Sequence, residues 1–125
     1  DYVCTANGIL EKYIPGDFEF DSPKRLIDLI EARDFGQYAD ENGELITCFL
    51  STNDITGGNS GSPIMNGKGE LIGLAFDGNW EAMSGDIAFE NEVQRTICMD
   101  MRYLLFIIDK MANAQNLMQE LKIVE

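Results

Sequence analysis

The chain has 125 residues, 45% hydrophobic and 25% charged, the balance of one ordinary globular domain. With 9 basic and 22 acidic residues its formal charge is −13, which excludes a phosphate-backbone partner. There is no histidine, so the chain supplies neither the commonest general base of hydrolases nor a histidine-containing metal site, and a hydrolytic reading must find its base elsewhere.

The first residues, DYVCTANG, have neither the basic start nor the long apolar core of a signal peptide. The longest apolar run, Leu104 to Ile108, is far too short to span a bilayer. The absence of an initiating methionine fits a processed protein or the later part of a longer one. Cys4, Cys48 and Cys98 are odd in number and widely spaced, which points to buried free thiols rather than a zinc site or a disulfide framework. Residues 15–23, PGDFEFDSP, form an extended or turn segment whose Asp17, Glu19 and Asp21 lack the spacing of a calcium loop and make a solvated face. Ser22 is placed to cap a helix that opens at Pro23. From Pro23 to Phe35 the apolar Leu26, Ile27, Leu29, Ile30 and Phe35 recur at helical spacing, with charged residues largely on other faces, which predicts an amphipathic helix of about three turns. Residues 36–44 read as a solvated turn region.

Leu45 to Leu50 predicts a strand, closed by the polar loop STNDITGGNSGSP. Ile64 and Met65 then lead into Asn66-Gly67-Lys68-Gly69, a tight-hairpin signal. A strand from Glu70 to Phe76 follows, with Leu71, Ile72, Leu74 and Phe76 read as buried. Asp77-Gly78-Asn79 is a turn signal, residues 83–86 mark a further loop before Ile87 to Phe89, and Arg95 to Met99 is one more strand. From Asp100 to Leu121 glycine and proline vanish while Met, Leu, Ala and Gln accumulate, so this stretch is expected to be helical. The fold class is therefore mainly β with flanking helices, as one domain: a lead-in over 1–44, a β portion over 45–99 and a C-terminal helix over 100–125. Met83, Met99, Met101, Met111 and Met118 are core and interface filler, and Trp80 either lines a cleft or anchors its loop.

One segment carries chemistry. Gly57-Gly58-Asn59-Ser60-Gly61-Ser62-Pro63 sets a serine among residues that let the backbone turn sharply, so that consecutive amides can aim at one point. An oxyanion hole needs such donors, here the amides of Gly58 and Ser60. The competing reading is a Gly/Ser-rich surface loop. The strand-loop-strand setting differs from the strand-to-helix elbow of α/β-hydrolases. A serine-lysine pair is unattractive, because Lys68 sits in a predicted hairpin turn.

The string Gly58-Asn59-Ser60-Gly61-Ser62-Pro63 resembles the nucleophile loop of chymotrypsin-fold serine peptidases. Over a longer stretch, TNDITGGNSGSPIMNGKGELIGLAFDGNWEAMSGD followed by QRTICMDMRYLLFIIDKMANAQNL resembles the C-terminal part of the bacterial dipeptidyl-peptidase 7 and 11 family. The resemblance runs from about Gly8 to the end. It implies the C-terminal half of a chymotrypsin-like double β-barrel plus a C-terminal helix, belonging to a larger exopeptidase that works in the periplasm or at the surface of Gram-negative bacteria. In that family the histidine and aspartate of the triad precede the serine in the chain, so a C-terminal piece carries the serine alone, and the piece by itself is expected to be inactive.

By resemblance, Ser60 is the nucleophile, the amides of Gly58 and Ser60 form the oxyanion hole, and Asp77 grips the free amino group of the substrate. An Asp77-Gly78 turn pair is the structural alternative for that dipeptide. Gly78 stands where the family's specificities diverge: arginine there goes with acidic P1 residues and glycine with bulky apolar ones, so the closest kinship is with dipeptidyl-peptidase 7. Asp54, six residues before Ser60, occupies the place of the aspartate that selects basic P1 residues in trypsin-like enzymes. The resemblance covers Asp54 without implying such specificity, and a structural role bridging loop amides is the better expectation. No metal or other cofactor is implied. The expected partners are peptides with a free N-terminus, the upstream part of the same polypeptide and a second subunit, the last two docking on the terminal helix; no nucleic acid and no membrane span are expected. A reading of a different class is a non-catalytic peptide-binding or interaction domain on the same scaffold.

Overall fold

The computed structural model describes residues 2–79 and 94–124. Its elements run β1 (Val3–Thr5), α1 (Asn7–Lys12), α2 (Lys24–Glu31), a 3₁₀ turn (Gly36–Tyr38), β2 (Ile46–Ser51), β3 (Pro63–Met65), β4 (Leu71–Gly78), β5 (Thr96–Asp100), α3 (Met101–Phe106), a π-helical turn (Ile107–Met111) and α4 (Gln115–Met118). The strands form one five-stranded sheet in the order β1-β2-β5-β4-β3. The pairs β2–β5, β5–β4 and β4–β3 are antiparallel. A mainly antiparallel sheet with a few helices is thus what the periodicities predicted. The predicted loop at residues 83–86, the apolar run at 87–89, Trp80 and Met83 lie outside the described residues. Among the described residues no helix is long and apolar enough to cross a membrane.

The chain divides into two compact units, one of Asp1–Val3 with Cys48–Met101 and one of Cys4–Thr47 with Arg102–Glu125. The second is built on an apolar core of Ala6, Leu26, Ile30, Phe35, Tyr38, Leu45 and Phe106, with the Phe35 and Phe106 rings meeting edge to face at 6.0 Å. Helix α2 puts Leu26, Ile27 and Ile30 inside, as its spacing predicts, but both of its ends differ from expectation. Ser22 does not cap it. Pro23 holds the cap position, its carbonyl accepting the amides of Leu26 and Ile27 at 2.9 and 3.2 Å. The helix stops at Glu31, because Arg33 takes a left-handed backbone (φ 52°) and the Asp34 amide returns to the Leu29 carbonyl at 3.0 Å, closing the last turn. Phe35 therefore reaches the core from beyond the helix. Arg33 is held there by Glu44 at 2.9 Å, by the Gly43 carbonyl and by its position over the Phe35 ring.

The solvated turn predicted for 36–44 conceals a buried residue, Tyr38, whose hydroxyl donates to Asp109 at 2.7 Å. Burial pushes the Tyr38 phenol up, while the donors Tyr38 and Gln115 hold the Asp109 carboxyl below its ordinary range. Asp17, also placed on a solvated face, accepts the amides of Glu19 and Phe20, which lower its pKa. The continuous helix expected from Asp100 to Leu121 is interrupted. A π-helical turn at Ile107–Met111 brings the Ala112 amide to the Ile107 carbonyl, and Asn113 then takes φ 50° before α4 begins. Absence of glycine and proline did not secure continuity, because asparagine also tolerates the left-handed conformation.

In the sheet unit, β5 buries Thr96, Cys98 and Asp100 alternately with half-buried Ile97 and Met99. The buried face of β4 is formed by Gly73 and Ala75, not by the large apolar residues expected there. Leu71, Ile72 and Phe76 are exposed and Leu74 is half-buried. Close approach is the physical reason. A Cβ added at Gly73 would lie 2.7 Å from the Met99 carbonyl oxygen and 2.8 Å from the Phe49 ring, so the ring occupies the space a side chain would need. None of the cysteines is held in a disulfide, as expected, but only Cys98 is buried; Cys48 is half-buried and Cys4 is exposed. Burial pushes the Cys98 thiol up.

Candidate active site

The loop joining β2 to β3 begins as an exposed polar stretch and is fastened to the sheet at its start and its end. At its start, the buried Thr96 hydroxyl donates to the Asn53 carbonyl at 2.5 Å. At its end, two backbone bonds tie it to β4: Gly61 N–H to the Ala75 carbonyl at 2.7 Å and Ala75 N–H to the Ser62 carbonyl at 2.9 Å. The turn between is tight. Asn59 N–H donates to the Thr56 carbonyl at 3.2 Å, Ser62 N–H donates to the Asn59 carbonyl at 2.9 Å, and the Asn59 Oδ1 accepts the Thr56 amide at 2.7 Å. Gly58 and Gly61 adopt φ of +95° and +86°, a region where a side chain is strained, which is why glycine flanks the asparagine and serine.

This arrangement partitions the loop amides. Those of Asn59, Gly61 and Ser62 are all engaged within the protein. Those of Gly57, Gly58 and Ser60 meet no acceptor among the described residues, and all three residues are exposed. The N–H groups of Gly58 and Ser60 flank the fixed one of Asn59, and the Ser60 hydroxyl belongs to one of the same residues. Such a pair of donors next to a hydroxyl is chemically suited to an anionic oxygen formed at a carbonyl under attack.

The Ser60 Oγ donates to the carbonyl of Phe76 at 3.3 Å. That carbonyl is available because β4 carries a bulge: Ala75 pairs with Cys98 and Asp77 with Ile97, leaving Phe76 as the extra residue. The bulge brings the serine loop against the segment that continues into Asp77 and Gly78. These two do not form the turn that the Asp-Gly-Asn string suggests. Both are strand residues, Gly78 opposite Thr96, and the ladder runs on as the Asn79 amide donates to the Arg95 carbonyl at 3.0 Å and the Arg95 amide to the Asn79 Oδ1 at 2.9 Å. Asp77 is exposed, and its Oδ1 accepts the Gly78 amide at 2.8 Å.

Asp54 is exposed and, among the described residues, bridges no loop amide; Asn59 performs that task instead. Sequence reasoning missed the roles of Asn59, Thr56 and the Phe76 carbonyl. The signal for the first was present, since asparagine in a turn commonly bonds backbone groups a few residues away. Nothing local marks Phe76, whose exposed carbonyl results from register against another strand. A separate cavity of about 580 Å³ in the helical unit, lined by Tyr13, Pro15, Gly16, Asp21, Ser22, Pro23 and Lys24, contains none of the predicted site residues.

Among known families, the sequence matches Peptidase S46 over residues 1–123. It is 58% identical over 124 residues to a dipeptidyl-peptidase 7 of Phocaeicola vulgatus, covering 99% of this chain and 17% of that protein. It is 54% identical over 118 residues to an Asp/Glu-specific dipeptidyl-peptidase of Flavobacterium psychrophilum, covering 94% of this chain and 16% of the relative. In three dimensions it resembles the crystal structure of Porphyromonas endodontalis DPP11 in complex with the dipeptide Arg-Glu, with a TM-score of 0.92 and 47% identity, over 95% of this chain and 17% of that one. The chain thus spans about one sixth of the length of the relatives it matches.

Proposed function

This chain belongs to the peptidase S46 family, and we propose that it is the nucleophile-bearing part of a longer serine dipeptidyl-peptidase that releases dipeptides from free peptide N-termini and favours a bulky apolar P1 residue. The observation that carries the reading is the loop geometry: an exposed serine whose own amide and that of Gly58 meet no acceptor among the described residues, its hydroxyl directed to the carbonyl that precedes Asp77. In this reading the sheet is half of a chymotrypsin-like double β-barrel, Ser60 attacks the scissile carbonyl, and the Gly58 and Ser60 amides stabilise the resulting oxyanion. The histidine and the aspartate that orients it come from the remaining polypeptide. The 125 residues alone, having no imidazole, give no turnover, because loss of the base costs a triad enzyme about 10⁶ in kcat. The family resemblance supports a periplasmic or cell-surface setting.

The direct test is product analysis with the full-length polypeptide. Unblocked peptides are expected to yield dipeptides in succession, and the same peptides acetylated at the N-terminus to remain uncut. Internal cleavage of acetylated peptides would refute exopeptidase action, and absence of cleavage of either kind would favour a binding domain.

The P1 preference rests on Gly78. Overall identity does not settle it, since a relative named dipeptidyl-peptidase 7 and one named Asp/Glu-specific lie at 58% and 54%. Gly78 is a strand position opposite Thr96. Glycine leaves volume and an uncharged wall for an apolar side chain, whereas arginine would fill that space and pair a carboxylate. Gly78→Arg in the full-length polypeptide is expected to move the preference toward Asp or Glu at P1 by at least about tenfold, the value of one charge-assisted contact. An unchanged apolar preference across a dipeptidyl substrate panel would remove Gly78 as the determinant.

A further inference from the structure

We propose that Asn59 is a positioning residue for catalysis, its side-chain oxygen holding the serine loop in the conformation that keeps the Gly58 and Ser60 amides free. The proposal rests on the reading of Ser60 as nucleophile and assigns a task to the residue between the two oxyanion donors.

Three groups of Asn59 are engaged within the same turn. Its amide bonds the Thr56 carbonyl at 3.2 Å, its carbonyl accepts Ser62 N–H at 2.9 Å, and its Oδ1 accepts the Thr56 amide at 2.7 Å, with the Thr56 hydroxyl more distant at 3.4 Å. Thr56 and Asn59 are therefore paired in both directions across a four-residue turn. The bond at the Asn59 carbonyl decides the direction of the Ser60 amide, because the two belong to one planar peptide unit and point opposite ways. With that carbonyl engaged by the Ser62 amide, the Ser60 N–H points away from Ser62 and meets no acceptor among the described residues. The Oδ1 bond locks the start of the turn that contains Gly57 and Gly58, two residues whose backbone is otherwise unrestrained by any side chain. Without it the glycines gain conformational freedom, and donors that must be aligned in advance are aligned for only a fraction of the time. Only the oxygen of the amide is used: Asn59 Nδ2 makes no hydrogen bond among the described residues. The chemistry required at this position is an acceptor of asparagine's length, which aspartate also provides and alanine does not.

The test is steady-state kinetics of two variants of the full-length polypeptide on a chromogenic dipeptidyl substrate, with thermal melts recorded for each. Asn59→Ala is expected to lose about 10²–10³ in kcat, the value of one oxyanion donor, with KM within about threefold of wild type because ground-state binding is unaffected. Asn59→Asp is expected to keep kcat within about tenfold. A purely structural role would lower the melting temperature without separating kcat from KM and would not be rescued by aspartate. Undiminished kcat in Asn59→Ala, or Asn59→Asp as impaired as the alanine variant, overturns the proposal. Should Asn59→Ala fail to fold, Asn59→Asp decides: retained kcat supports the acceptor role and a collapse of kcat in a folded protein refutes it. The underlying reading fails separately, through retained turnover in Ser60→Ala.

Discussion

Ser60→Ala in the full-length polypeptide is expected to lower kcat by about 10⁶, the cost of removing the nucleophile from a triad enzyme, while leaving KM nearly unchanged. The hydroxyl contributes one 3.3 Å bond to the Phe76 carbonyl, and the loop around it is held by bonds that the substitution does not touch: those of Asn59 to Thr56, of Gly61 and Ser62 to Ala75, and of Thr96 to Asn53. The variant should therefore fold and bind substrate with both oxyanion amides in place. The residual rate, about 10³–10⁴ above the uncatalysed one, would measure what those amides and substrate binding contribute without covalent chemistry. Covalent labelling sharpens the test. A peptidyl phosphonate should add one label to the wild type, located by mass spectrometry on the peptide containing Ser60, and none to the variant. Turnover by Ser60→Ala at a comparable rate, or a label on another residue, would place the chemistry elsewhere.

Asp77→Asn is expected to cost about 10- to 100-fold in kcat/KM on peptides with a free amino end, expressed chiefly in KM, which corresponds to the roughly 1.5–3 kcal/mol of a charge-assisted hydrogen bond. The carboxylate is exposed. Its Oδ1 is held by the Gly78 amide, which fixes the rotamer, and its Oδ2 makes no hydrogen bond among the described residues. Asparagine preserves that internal bond and removes only the charge, so a loss of affinity reports the charge itself. A second readout follows from the substrate. The α-ammonium of a peptide deprotonates with a pKa of about 7.7–8.0, so KM of the wild type should rise as pH climbs through that range while the carboxylate loses its cationic partner. In Asp77→Asn the same rise should be flattened. Equal KM values for the two proteins at pH 7 would show that another group counts the residues from the amino end.

Both predictions concern residues that stand out locally, and the structure shows how far local signals reach. The serine loop was legible because Gly58 and Gly61 need positive φ, Pro63 starts the next strand, and the Asn66–Gly69 hairpin follows; each is a short-range constraint. Helix α2 was legible from the spacing of Leu26, Ile27 and Ile30, but its end was not, since Arg33 adopts a left-handed backbone only where Glu44, the Gly43 carbonyl and the Phe35 ring together hold its guanidinium. In β4 the local rule was inverted. Apolar content marked Leu71, Ile72 and Phe76 as buried, yet Gly73 and Ala75 are, because the Phe49 ring lies against Gly73. Asp77-Gly78 carries a strong turn signal and is nonetheless strand, since the ladder with β5 continues to Asn79 and Arg95 and outweighs a preference worth only a fraction of that pairing.

The order of residues in the chain was enough to locate the serine loop, to show that no imidazole accompanies it, and to reveal the family. Those features depend on residue type and short spacing, which a linear string records in full. That the Gly61 amide is engaged by Ala75, that Ser60 meets the Phe76 carbonyl, and that Asp77 lies in a strand rather than a turn were decided by tertiary structure alone. Each depends on partners 14 to 20 positions apart, Gly61 with Ala75, Ser60 with Phe76 and Asp77 with Ile97. Hydrogen-bonding capacity is a property of a residue, but whether that capacity is spent is settled only by what the folded chain brings within 3 Å or so of it.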